Sequence, residues 1–123
     1  MWRTFLELGS ERSLHPRPWT VWRLQPEDGV AVLEIDSARG WRDFVQAFPR
    51  VRGRFISPDW TQVACEYDAV HITLAAIIAT QAFTFAATPH VIAPSYWDIE
   101  TTLWLRWCFT AVTQVEVVPP PGR

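Results

Sequence analysis

Apolar residues fall in two rhythms along the chain, one helical and one alternating, and the switches between them mark the expected elements. After Ser37, Trp41, Phe44, Val45 and Phe48 stand at i, i+3, i+4 and i+7. That spacing lines one face of a helix, Ser37 can cap its start and Pro49 stops it. The stripe returns after Ser57-Pro58-Asp59 as Trp60, Val63, Ala64 and Tyr67. There serine can cap, proline suits the first turn, and aspartate favours the positive helix end. Two short amphipathic helices, each led by a tryptophan, are expected.

Elsewhere the residues favour strands. Trp19 to Leu24 and Val30 to Ile35 are rich in strand formers, and the turn chemistry of Gln25-Pro26-Glu27-Asp28-Gly29 between them predicts a hairpin. In Val70-His71-Ile72-Thr73-Leu74 the apolar residues face one way and His71 and Thr73 the other. Ala82 to Ala86 is a candidate partner for that strand, and Pro89 to Ser95 reads as a loop. Thr101 to Thr110 has helical spacing in Ile99, Leu103 and Trp107, but its tryptophan, phenylalanine and threonine favour a strand. As a strand it sends Thr102, Trp104, Arg106 and Cys108 to one face, opposite Leu103, Leu105, Trp107 and Phe109. Val112 to Val118 is the last strand.

His15-Pro16-Arg17-Pro18 excludes helix and closes an extended N-terminal segment, about 1–18, while residues 119–123 form a proline-rich tail. The expected fold is α+β: a mostly antiparallel sheet with two short amphipathic helices packed on one face, in a single domain over residues 1–123.

Composition narrows the function classes. With 123 residues there is room for one well-cored domain, and 49% apolar against 20% charged residues excludes a disordered chain. A formal charge of −2 argues against a protein that grips nucleic acid through overall charge. All 11 basic side chains are arginine, which codon bias in a GC-rich genome explains without phosphate binding. The eight tryptophans are more than a small core absorbs, so the surplus should line a pocket, an interface or both.

The N-terminus lacks the pattern of a secretory signal. Residues 69–97 carry no charged side chain apart from His71 and His90, counted neutral, but they include four threonines after Thr73 or at it, and acidic flanks. Membrane spans are more uniformly apolar and have basic flanks. A soluble cytoplasmic protein is expected, with Cys65 and Cys108 as reduced core thiols.

Several segments together carry a resemblance. Leu33-Glu34-Ile35-Asp36-Ser37 leads to Trp41, followed by Pro58-Asp59-Trp60-Thr61-Gln62-Val63-Ala64, Tyr67-Asp68-Ala69-Val70-His71-Ile72-Thr73 and Thr102-Leu103-Trp104-Leu105. Over roughly residues 33 to 109 the chain resembles a group of small uncharacterised actinobacterial proteins, whose members often have glycine where this chain has Ala69. The resemblance implies provenance and transfers no catalytic residue.

Common catalytic signatures are missing. The three histidines are scattered and the cysteines lack finger-like spacing, so no metal or other cofactor is expected. Five glycines spell neither a phosphate loop nor a dinucleotide fingerprint, and no serine sits in a nucleophile elbow. What remains is the polar sheet face. His71, Arg106 and Glu116 are the candidate catalytic groups, and Arg23, Thr73 and Trp104 the candidate ligand contacts. Histidine can exchange protons near neutral pH, arginine can clamp an anion and tryptophan can wall a pocket. The bland alternative is a solvated sheet face.

The leading expectation is therefore a Trp-lined pocket that binds an organic small molecule, with conversion of that molecule without a metal as its enzymatic form. An interaction module is the alternative, with indoles forming a homodimer or a toxin–immunity type of interface. A further alternative is an ADP-ribosyltransferase-like order: Arg23 early, His71 and Thr73 in the middle, Glu100 or Glu116 late, without the characteristic Ser-Thr-Ser strand. The last is phosphate or RNA binding by Arg50-Val51-Arg52-Gly53-Arg54-Phe55, with Arg39 and Arg42 nearby in sequence. Such a run is more often a solvated loop between helices, and nucleic acid is not the expected partner.

Overall fold

The structure is a computed structural model that describes residues 2–8, 14–120 and 122. Expectations touching residues 1, 9–13, 121 and 123 lie outside the described residues. In chain order the elements are α1 (Trp2–Glu7), β1 (Trp19–Pro26), β2 (Val32–Ile35), α2 (Ala38–Ala47), β3 (Pro49–Arg52), β4 (Phe55–Pro58), α3 (Trp60–Glu66), β5 (Ala69–Ile72), α4 (Leu74–Thr80), β6 (Phe85–Ala87), β7 (His90–Ile92), β8 (Thr101–Trp104) and β9 (Phe109–Val118). The α+β class is as expected. The chain forms two compact units: Val30–Trp107, and the chain on either side of it.

The central unit holds two mixed sheets. One has the order β2-β5-β8, with β2 parallel and β8 antiparallel to β5. The other runs β3-β4-β7-β6, with a parallel β4–β7 pair inside it. Its core is built by the first helical stripe: Trp41, Phe44, Val45 and Phe48 are buried with Val63, Val70 and Ile72. Ser37 caps α2 as expected, its hydroxyl accepting from the Gly40 amide at 3.0 Å. The Trp41 indole is 2% exposed and donates to the Ala93 carbonyl at 3.0 Å, which satisfies its only polar atom. Trp60 and Tyr67 are half-buried against this cluster, whereas Ala64 is exposed.

Several expectations are corrected. The N-cap of α3 is Asp59, not Ser57, because Ser57 and Pro58 are still paired in β4. The expected β1–β2 hairpin does not form: β1 pairs with β9, and β2 pairs with β5. Gly29 does turn the chain, at φ 76°, but a turn alone does not choose the partner. Burial of Ile35 beside Ile72 does. Ala82 to Ala86 does not pair with β5; its C-terminal part belongs to β6, which pairs with β7 in the stretch read as a loop. The arginine run is also not an interhelical loop. It forms the β3–β4 hairpin, with Gly53 at φ 59° in the first central turn position.

The chain after β5 is helical where a continued strand is expected. Leu74 leaves the expected strand and starts α4, with the Thr73 hydroxyl accepting from the Ala76 amide at 3.3 Å. Its alanine-rich sequence favours helix, and a threonine cap gave the signal.

The flanking unit contains α1, inside the segment read as extended, and the two-stranded β1–β9 ribbon. Register shifts fall after Val21 and after Gln25. Arg3 on α1 donates to both Glu116 carboxylate oxygens at 2.8 Å, and Arg17 pairs with Glu7. Most of the ribbon is exposed.

Candidate functional site

Residues paired directly across a sheet project to the same side. Glu34, His71 and Thr102 therefore form one row across β2, β5 and β8, and Val32, Ala69 and Trp104 form the next. The opposite face carries Ile35, Val70 and Ile72 into the core. The expected separation of polar His71 from its apolar neighbours is present, and Trp104 lies on the same face. The His71 side chain is 30% exposed; Nδ1 lies 3.5 Å from Glu34 Oε2 and Nε2 lies 4.0 Å from Glu100 Oε1. The same Glu100 oxygen accepts from the Leu74 amide at 3.2 Å. The imidazole thus stands between two carboxylates, one on each ring nitrogen.

The other expected residues are placed differently. Thr73 is the α4 cap, so the polar middle strand ends at Ile72. Arg106 lies beyond the end of β8 and pairs through Nε with Asp68 Oδ1. Asp68 Oδ2 accepts from the Ala31 amide at 2.8 Å, and its own carbonyl accepts from the Leu105 amide at 2.8 Å. The Arg106 hydrogen bond, helped by the Ala31 amide, holds the Asp68 carboxyl below its ordinary value. Asp68 thus ties the chain before β2 to Arg106 beyond the end of β8, and the Arg106 guanidinium is engaged in this internal pair. Arg23 and Glu116 belong to the ribbon, where Arg23 is opposite Thr113 and Glu116 is opposite Val21 and held by Arg3.

A groove of about 310 Å³ runs beside β8, lined by Trp97, Asp98, Ile99, Thr101, Thr102 and Leu103. Thr102 belongs both to this groove and to the His71 row. Trp97 stacks on Trp60 at 6.4 Å between ring centroids and 15° between planes, and Trp60 in turn contacts Phe44 at 5.7 Å. The groove wall is therefore backed by the core. Immediately before it, Tyr96 adopts φ 57°, a left-handed conformation that a bulky residue rarely takes. Asp98 Oδ1 accepts from Gln81 Nε2.

The sequence reading missed Trp97, Asp98 and Glu34, and weighed Glu100 only for the transferase-like order. Trp97 sits in an aperiodic segment, and the surplus of tryptophans was its one signal. Among the described residues no group of three or more His, Cys, Asp or Glu side chains is arranged to hold a metal ion. Neither cysteine is in a disulfide; Cys108 is buried, and Cys65 is exposed rather than in the core. No described helix is long and apolar enough to cross a membrane. Compared with protein-family models, curated proteins and solved structures, the chain matches none.

Proposed function

We propose that the protein binds a small organic cation with an apolar or aromatic body in the Trp97 groove, with His71 as the neighbouring proton-exchanging group. The observation that carries this reading is the Trp60–Trp97 stack, which presents a core-backed indole to the groove. The lining includes one carboxylate, Asp98, and no basic side chain. Glu34 and Glu100 flank His71 on the adjoining face. An indole wall with nearby carboxylates suits an ammonium group better than an anion. The groove volume is at the small end of the range for ligand pockets.

Calorimetric titration with benzylamine and tryptamine, against benzoate and indole-3-acetate, tests this. Both amines should bind and both acids should not. Trp97→Ala should weaken amine binding by about tenfold, as loss of a desolvated cation–π contact implies. Equal binding of acids and amines, or no binding by any of them, would refute it.

A second reading, self-association, is favoured by the ribbon. Val21, Trp22, Leu24, Val112, Val115 and Val117 are 39 to 52% exposed within its two strands. A ten-residue edge strand with one charged side chain is a template for pairing with a second copy. Light scattering of the purified chain should then give a dimer that Trp22→Ser weakens. A strict monomer at high concentration would remove this reading.

A further inference from the structure

A second cleft in the central unit lies away from the groove. It has a volume of about 420 Å³ and is lined by Ala38, Arg39, Arg42, Asp43 and Phe85. Arg39 and Arg42 stand at i and i+3 on α2, so they are neighbours on one face of the helix. Arg39 Nε is 3.8 Å from Asp43 Oδ2, but those side chains are 91% and 64% exposed, so solvent screens the pair. Arg42 has no hydrogen bond or ion pair among the described residues. Phe85, from β6, also lines the cleft and is half-buried against the core.

Folding does not ask for this arrangement. Arg39 lies in the first turn of α2, which has no acidic residue, and a positive side chain there opposes the helix dipole; Arg42 is exposed one turn further on. Neither is a core residue. Two guanidiniums over a cleft with an aromatic wall are suited to an oxyanion attached to a ring. The planar forks match phosphate oxygens, and the ring can lie against Phe85. A phosphate monoester, with up to two negative charges, matches the two cations better than a monoanionic carboxylate.

We propose that this cleft binds a small phosphate monoester with an aromatic ring, Arg39 and Arg42 holding the phosphate and Phe85 the ring. The inference is independent of the Trp97 groove, and its probe carries the opposite charge. Calorimetry with phenyl phosphate at low salt should show saturable binding, with inorganic phosphate at least about tenfold weaker for want of the ring contact. Arg39→Gln and Arg42→Gln should each weaken phenyl phosphate by about fivefold or more, and the pair together should abolish binding. The double variant should melt close to the parent, since Arg39 opposes the helix dipole and Arg42 is an exposed surface residue. Phe85→Leu, which keeps an apolar side chain, should bring phenyl phosphate down to the level of inorganic phosphate. Absence of phenyl phosphate binding to the parent, or parent-like binding by the double variant, would overturn the proposal. So would an oligouridylate that binds more tightly than phenyl phosphate and is indifferent to Phe85→Leu, because that behaviour belongs to an RNA surface.

Discussion

The two units of this chain stabilise themselves in opposite ways. Val30–Trp107 gathers nearly all the buried apolar side chains, from Ile35 to Ile99, around the stripe of α2. Among its described residues the flanking unit buries only Cys108 and Val118 of the apolar ones, and it carries a two-stranded ladder and the Arg3–Glu116 and Arg17–Glu7 pairs. Isolated two-stranded ribbons are marginal in water, and exposed ion pairs contribute little. One unit is thus a packed scaffold able to hold a site in place. The other is a surface that gains most from being covered.

Substitutions should separate the two. Phe44→Ala, in the densest aromatic contact of the core, should cost about 3–5 kcal/mol in urea unfolding followed by tryptophan fluorescence. A loss below about 0.5 kcal/mol, the ordinary surface value, would deny the core its role. Asp68→Asn should act through pH. The Asp68 carboxyl is held below its ordinary 3.8 by Arg106 and the Ala31 amide, so its contribution is present above that value and fades as pH falls through the lowered one. The variant should therefore be less stable than the parent at pH 6, and its stability should vary less below pH 4. Parallel pH profiles would show that the Arg106 pair does not fasten the unit. The smallest effect belongs to the ribbon: Arg3→Gln should change stability by at most about 1 kcal/mol, read by thermal melting in low and high salt. A larger, salt-independent loss would mean that α1 is held by packing.

The central helix was legible because its stripe, cap and terminating proline agreed from Ser37 to Pro49. α3 was legible too, with its cap displaced to Asp59. Strand partners were not, since β2 pairs with β5 across an intervening helix, hairpin and helix, and no local signal gives that register. Thr73 is the instructive case: alternation continues through it, yet the alanine-rich run after it makes it a cap. For the site, period-two reasoning put His71 and Trp104 on one face, as the ladders do. It could not foresee Trp97, whose position depends on Trp60 and on the turn at Tyr96, nor that Asp68 would take Arg106.

The proposed ligand site lies on the packed unit, beside Trp97 and His71. Nuclear magnetic resonance of the tryptophan indoles and histidine imidazoles during a benzylamine titration tests it most directly. The Trp97 and His71 signals should shift together and saturate, while those of Trp2 and Trp22 in the flanking unit stay fixed. Unmoved Trp97 and His71 signals at saturating amine, or shifts confined to Trp22, would rule out a site on this unit.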